Sequence, residues 1–187
     1  MKEIKVLGFA GSLRKNSFNK ALIHHAVHLA PPHIKIEFFD LAPIPFFNED
    51  VRVEQGEPGP VKIFKDKIRE ADALLIAVTE YNYSLSGVLK NAIDWASRPN
   101  DTSPLNQKPF AMMSTGGGLG GARAQYHLRQ IAVFVNMNPL NKPELIIPRA
   151  NENFDSAGNL IDPKNEERIK NLLDALYEWT LRLKEIK

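Results

Sequence analysis

Apolar residues in this chain fall into short unbroken runs, separated by stretches where they recur every three or four positions. Ile4–Ala10 is a compact apolar run and reads as a buried strand. Ile34–Phe39 alternates as a second strand, and Ala73–Val78, "ALLIAV", is the clearest third. Pro109–Ser114 and Glu144–Ile147 supply a fourth and a fifth. Between them the spacing predicts helices over Ser17–Leu29, Val61–Glu70, Gly87–Ser97 and Ala122–Val135. The first of these carries Ala21, Leu22, Ala26 and Leu29 on a mixed apolar face and is broken by "PPH". In the third, Val88, Ala92 and Trp95 share one side. The last helix is the surest: Asp162 can cap it, Pro163 suits its first position, and Ile169, Leu172, Leu173, Leu176, Trp179 and Leu183 repeat at helical spacing. Leu41–Gly59 is punctuated by prolines and glycines and reads as a long connection.

The order is βαβαβαβαβα. Unbroken apolar strands between helices imply a parallel sheet covered on both faces. Five strands in 187 residues suit a flavodoxin-like three-layer α/β sandwich, strand order 2-1-3-4-5, as one domain over 1–187. No repeat or low-complexity segment divides the chain.

Composition narrows the function classes. The net charge of +2 is small and scattered, without a basic stripe interleaved with aromatics, so nucleic acid is not an expected partner. Cysteine is absent, which excludes disulfides, thiolate nucleophiles and thiolate metal sites and fits a reducing cytosol. The apolar run near Met1 is too short for a signal peptide, and no stretch of about 18 apolar residues is present to span a bilayer. The expectation is a cytoplasmic protein with no membrane partner.

In sheets of this kind ligands sit outside the carboxyl ends of the strands, near the switch point. Three loops fall there. Gly11–Asn19, "GSLRKNSFN", joins hydroxyls, amides and positive charge to a helix start, where free N–H groups and the dipole favour an anion. It lacks the spacing of a triphosphate loop and of a dinucleotide loop, so a terminal monophosphate fits better. Helix capping by Asn16 or Ser17 explains the same residues equally well. Thr79–Gly87, "TEYNYSLSG", offers Glu80, Tyr81, Asn82 and Tyr83, an inventory able to hold a planar heterocycle or to close the end of the core. Ser114–Gly121, "STGGGLGG", lets backbone amides approach a ligand, or is a plain flexible connection.

The segments "GSLRKNSFNKAL", "EYNYSLSGVLKNAIDW" and "GGARAQYHLRQI" together resemble the NADPH-dependent FMN reductases of flavodoxin-like fold, a group that includes bacterial quinone, chromate and azo reductases. The likeness covers nearly the whole chain. It implies bound FMN, NADPH or NADH as donor, and quinones, chromate, azo compounds, ferric iron or free flavin as small-molecule acceptors, reduced by ping-pong hydride transfer. It implies that Ser12, Arg14, Ser17 and Asn19 hold the FMN phosphate with Phe18 supplying backbone. Glu80, Tyr81, Asn82 and Tyr83 then line the ribityl chain and ring, and Ser114 and Gly117 meet the ring's polar edge. The flavin carries the chemistry, so no catalytic side chain is expected. The N–H groups of the glycine loop and of the Ala122 helix start can stabilise charge on reduced flavin. Homodimers or homotetramers are implied, with Pro45–Asp50 near a neighbour's flavin. Two positions depart from the pattern: Thr79 and Ser86 stand where many relatives have proline.

Other clusters have bland explanations beside the chemical ones. Arg123, Tyr126 and Arg129 share a helix face and suit a nicotinamide-dinucleotide phosphate, a subunit contact or plain solvation. His24 and His28 also share a face, but no third metal ligand accompanies them and no metal is expected. A single-electron carrier of flavodoxin type is the main competing function; such carriers are generally strongly acidic, unlike this chain. A hydrolase on the same sheet is a third reading, without an evident nucleophile.

Overall fold

The computed structural model describes residues 1–185. Its elements run β1 (Ile4–Ala10), α1 (Phe18–Leu29), β2 (Ile34–Phe39), α2 (Glu49–Gln55), α3 (Gly59–Glu70), β3 (Ala73–Ala77), β4 (Glu80–Tyr81), β5 (Ser84–Leu85), α4 (Gly87–Ala96), β6 (Pro109–Thr115), α5 (Ala122–Phe134), β7 (Asn138–Pro139), β8 (Leu145–Ile147), α6 (Ala150–Asn153) and α7 (Pro163–Glu185). The main sheet is parallel in the order β2-β1-β3-β6, with β7 and β8 both paired to β6. The short β7 takes the start of β6, pairing Pro109 with Asn138, and β8 takes its end, pairing Thr115 with Ile147. The fifth strand predicted from sequence is β8, and the flavodoxin-like order is the one observed.

Strand side chains alternate between faces, and both faces are buried, which is why the runs look continuous in sequence. Val6, Ala10, Leu75, Ala77, Ala111 and Met113 join Leu22, Ile23 and Ala26 of α1 and Ile169 to Leu176 of α7 in one core. Leu7, Phe9, Leu74, Ile76, Val78, Phe110 and Met112 join α3, α4 and α5 in the other. Phe9 meets Phe64 edge to face at 5.4 Å, which adds specificity to that second layer.

Helix starts follow capping chemistry. Ser17 Oγ accepts the Lys20 N–H at 3.3 Å ahead of α1. Asp162 accepts the Lys164 N–H at 3.0 Å ahead of α7. Ser86 caps α4 through the Leu89 N–H at 3.2 Å, and its own hydroxyl donates to the Gly11 carbonyl at 2.6 Å. A proline at position 86 could stiffen the turn but could make neither bond.

The Leu41–Gly59 connection is not structureless: it contains α2, capped by Asn48. This helix buries no residue, so it leaves no apolar periodicity to read. The preceding segment is pinned to α4. The Pro45 carbonyl accepts from Trp95 Nε1 and Asn91 Nδ2, each at 2.8 Å, and Phe47 packs edge-on against Trp95.

Candidate active site

A cavity of about 370 Å³ opens at the carboxyl ends of β1, β3 and β6. Its volume is that of an ordinary small-molecule site. The loops after those three strands supply its walls, and the segment Arg149 to Glu152, at the start of α6, closes the remaining side.

The first loop has donors to spare. Ser12 and Ser17 are buried, and each hydroxyl oxygen accepts a backbone N–H, from Arg14 and Lys20 respectively. Each therefore keeps its own proton to donate. The N–H groups of Asn16, Ser17 and Phe18 find no acceptor among the described residues. Arg14 is exposed at the cavity rim. The Phe18 ring stacks on Phe154 at 5.0 Å. Hydroxyls, open amides, a guanidinium and the positive end of α1 are a donor set that could hold a phosphate dianion.

Asn19 is occupied differently. Its amide nitrogen donates to the Thr115 carbonyl at 3.0 Å and its amide oxygen accepts the Thr115 N–H at 3.1 Å. The side chain lines the cavity, yet both polar atoms clamp α1 to the end of β6 across 96 residues of sequence. Only the second hydrogen of the amide nitrogen is left to donate to a phosphate while the clamp holds.

The second loop folds as a hairpin, β4–β5, with Asn82 and Tyr83 at its turn in the left-handed region, φ 48° and 70°. Glu80 and Tyr81 line the cavity; Asn82 and Tyr83 do not. The Glu80 carboxylate accepts the Arg123 N–H at 3.1 Å and the Ala124 N–H at 3.3 Å, and pairs with the Arg123 guanidinium at 3.3 Å. That guanidinium lies 3.8 Å above the Tyr83 ring. Glu80 thus caps α5, and the amides there expected to face reduced flavin are taken. On the same helix Arg123 pairs with Glu80, Arg129 bonds Asn141 at 2.8 Å, and Tyr126 is exposed.

In the third loop, Gly120 and Gly121 are there for space. A Cβ on Gly120 would lie 2.7 Å from the Ile147 carbonyl carbon, and one on Gly121 2.8 Å from Ser114 Cβ. Both have positive φ. Ser114 is fully buried beneath them, its hydroxyl receiving a bond from Gln125 Nε2 at 2.8 Å, and it does not reach the cavity. Gly117 does, and the N–H groups of Gly117 and Gly118 have no acceptor among the described residues. The Gly116 and Gly117 carbonyls accept from Ala150 and Arg149. This wall escaped sequence reasoning. Arg149 holds φ 50°, ψ 60°, and nothing in "IPRANEN" marks it.

One buried polar atom in this region lacks a partner: Thr79 Oγ1, the sole such side-chain atom among the described residues. Thr79 lines the same cavity. An orphaned hydroxyl, a donor set for a phosphate and open glycine amides together suit FMN, with its dianionic end, polyol and polar ring edge. A larger cavity, about 750 Å³, lies at the amino ends of the strands around Asp72 and Lys184, which pair with each other. No set of three or more metal-ligating side chains occurs among the described residues, and none of their helices is long and apolar enough to cross a membrane.

Comparison with known proteins agrees with the geometry. A NAD(P)H-dependent FMN reductase of Pseudomonas aeruginosa is 51% identical over 97% of this chain and 98% of its own length. An NADPH:quinone oxidoreductase of Arabidopsis thaliana is 46% identical over 96% of this chain and 93% of its own. Among solved structures, FerB, a flavoenzyme NAD(P)H:(acceptor) oxidoreductase from Paracoccus denitrificans, superposes with a TM-score of 0.85 at 32% identity, covering 96% of this chain and 98% of that one. The family model described as NADPH-dependent FMN reductase matches residues 4–152, a span that takes in all three loops and the α6 wall, and the chain belongs to that family.

Proposed function

We propose that this chain is an FMN-dependent NAD(P)H oxidoreductase whose acceptors are quinones, with chromate, azo compounds, ferric iron and free flavin as further candidates. The observation that carries the reading is the cavity at the ends of β1, β3 and β6, with unspent donors at Ser12, Ser17 and the Asn16–Phe18 amides. Bound FMN would supply the chemistry, taking a hydride from nicotinamide and passing two electrons to the acceptor.

The protein's part is to hold and to tune. Ser12, Arg14, Ser17 and the Phe18 N–H bind the phosphate. Glu80, through α5, fixes the hairpin that carries Tyr81 to the cavity. Gly117 and Gly118 offer N–H groups where negative charge develops. Asn82, Tyr83, Asn19 and Ser114 support these parts rather than touch the cofactor. No side chain acts as nucleophile, so donor and acceptor take turns at one open face.

The cytoplasmic setting and the assembly belong to the same proposal. Tyr126, Val133 and Phe134 are exposed on α5 and Phe46 beside α4, apolar surface that a homodimer or homotetramer would cover. The test is direct. Purified protein is titrated with FMN, then mixed with NADPH or NADH and a quinone while nicotinamide absorbance is followed. Flavin uptake with rapid nicotinamide oxidation is expected. Flavin uptake without turnover would make the chain an electron carrier, and no uptake would end the proposal.

A further inference from the structure

We propose that the Thr79 hydroxyl is a hydrogen-bonding ligand for the flavin nucleotide, a contact that a proline at this position cannot make. The inference rests on the FMN reading above and adds a residue to it. Thr79 lies two residues past the end of β3 and is only 7% exposed. Its carbonyl accepts the Ser86 N–H at 3.0 Å, and the preceding Val78 N–H donates to the Met113 carbonyl at 2.8 Å. Neighbouring buried hydroxyls have partners. Ser86 donates to Gly11, Thr115 to the Ile147 carbonyl at 2.9 Å, and Ser114 accepts from Gln125. Of the buried side-chain polar atoms of the described residues, Thr79 Oγ1 alone is left without a partner.

Buried side-chain polar groups are almost always paired, so this exception in the cavity wall points to a missing partner. The strand pattern gives the direction. Ala77 belongs to the α1-side core and Val78 to the opposite one, so Thr79 returns to the α1 side. There it lines the cavity with Ser12, Ser17 and Glu80. A hydroxyl can donate and accept, which suits a sugar-alcohol or ring carbonyl group of the nucleotide.

The experiment compares wild type, Thr79→Val and Thr79→Ser by FMN titration and by melting of the flavin-free proteins. Valine keeps the shape and removes the hydroxyl; serine keeps the hydroxyl. The valine variant should bind FMN about three- to tenfold more weakly, the range for one neutral hydrogen bond. Its flavin-free melting temperature should be equal to or above that of wild type, because no partner is lost. Serine should bind within about twofold of wild type. A valine variant that binds FMN as wild type does overturns the inference. So does a destabilised flavin-free valine protein, since the hydroxyl would then already have a partner within the chain. Wild-type protein that takes up no FMN instead removes the FMN reading itself.

Discussion

Replacing Asn19 by alanine separates two roles that its place in the cavity wall leaves entangled. The amide makes both of its bonds to the backbone of Thr115, a residue only 3% exposed. Alanine strands one N–H and one C=O there, at about 1–3 kcal/mol each. Water entering the vacated space recovers part of that, so the net loss should be about 2–4 kcal/mol. At roughly 2–4 °C per kcal/mol for a domain of this size, the melting temperature falls by about 5–15 °C. The assay is thermal and urea unfolding of flavin-free protein, so that ligand stabilisation does not enter. Asn19→Asp should be no better: one oxygen still accepts the Thr115 N–H, but the other opposes the Thr115 carbonyl. If Asn19→Ala leaves flavin-free stability within error of wild type while FMN affinity drops tenfold or more, the clamp is not the job of this residue and it belongs to the phosphate seat.

Arg14→Ala should do the reverse, leaving the flavin-free melt unchanged and weakening FMN by about 1.5–3 kcal/mol in a fluorescence titration, because it loses only a charged hydrogen bond to the phosphate. Gly121→Ala combines a left-handed φ of 91° with a Cβ 2.8 Å from Ser114 Cβ, and should destabilise by about 2–5 kcal/mol in urea titration. Gly118→Ala, where a Cβ meets nothing within 4 Å, should change stability little. Asp72 provides an acid-range prediction. Burial raises its pKa, but the bonds from Lys184 and the Lys5 N–H outweigh that and hold it below the usual aspartate value. A depressed folded-state pKa gives stability that is full above the unfolded value, about 3.9, and is lost as pH falls through the folded one. Asp72→Asn should therefore lower the urea midpoint near neutrality and lose less on acidification than wild type; parallel pH profiles would refute it.

The sheet and both cores were legible because burial on two faces leaves unbroken apolar runs, and because Ser17, Asp162 and Pro163 mark helix starts by local chemistry. The three loops were legible for the same reason, since strand order alone sends them to one end. What each polar side chain does there was not. Asn19 meets Thr115 across 96 residues and Glu80 meets Arg123 across 43, and composition carries no trace of either pairing. Nor could it show α2, which buries nothing, or the α6 wall, which depends on Arg149 in a left-handed conformation. The structure divides one polar inventory in two. Asn19, Glu80, Ser86 and Ser114 spend their hydrogen bonds on the protein itself and hold the loops in place. Ser12, Arg14, Ser17 and Thr79 keep donors in reserve at the cavity. A site whose supports are already bonded loses little conformational entropy when its ligand arrives, so more of each remaining contact appears as affinity. The clamp residues therefore matter to cofactor binding even though none needs to touch the cofactor.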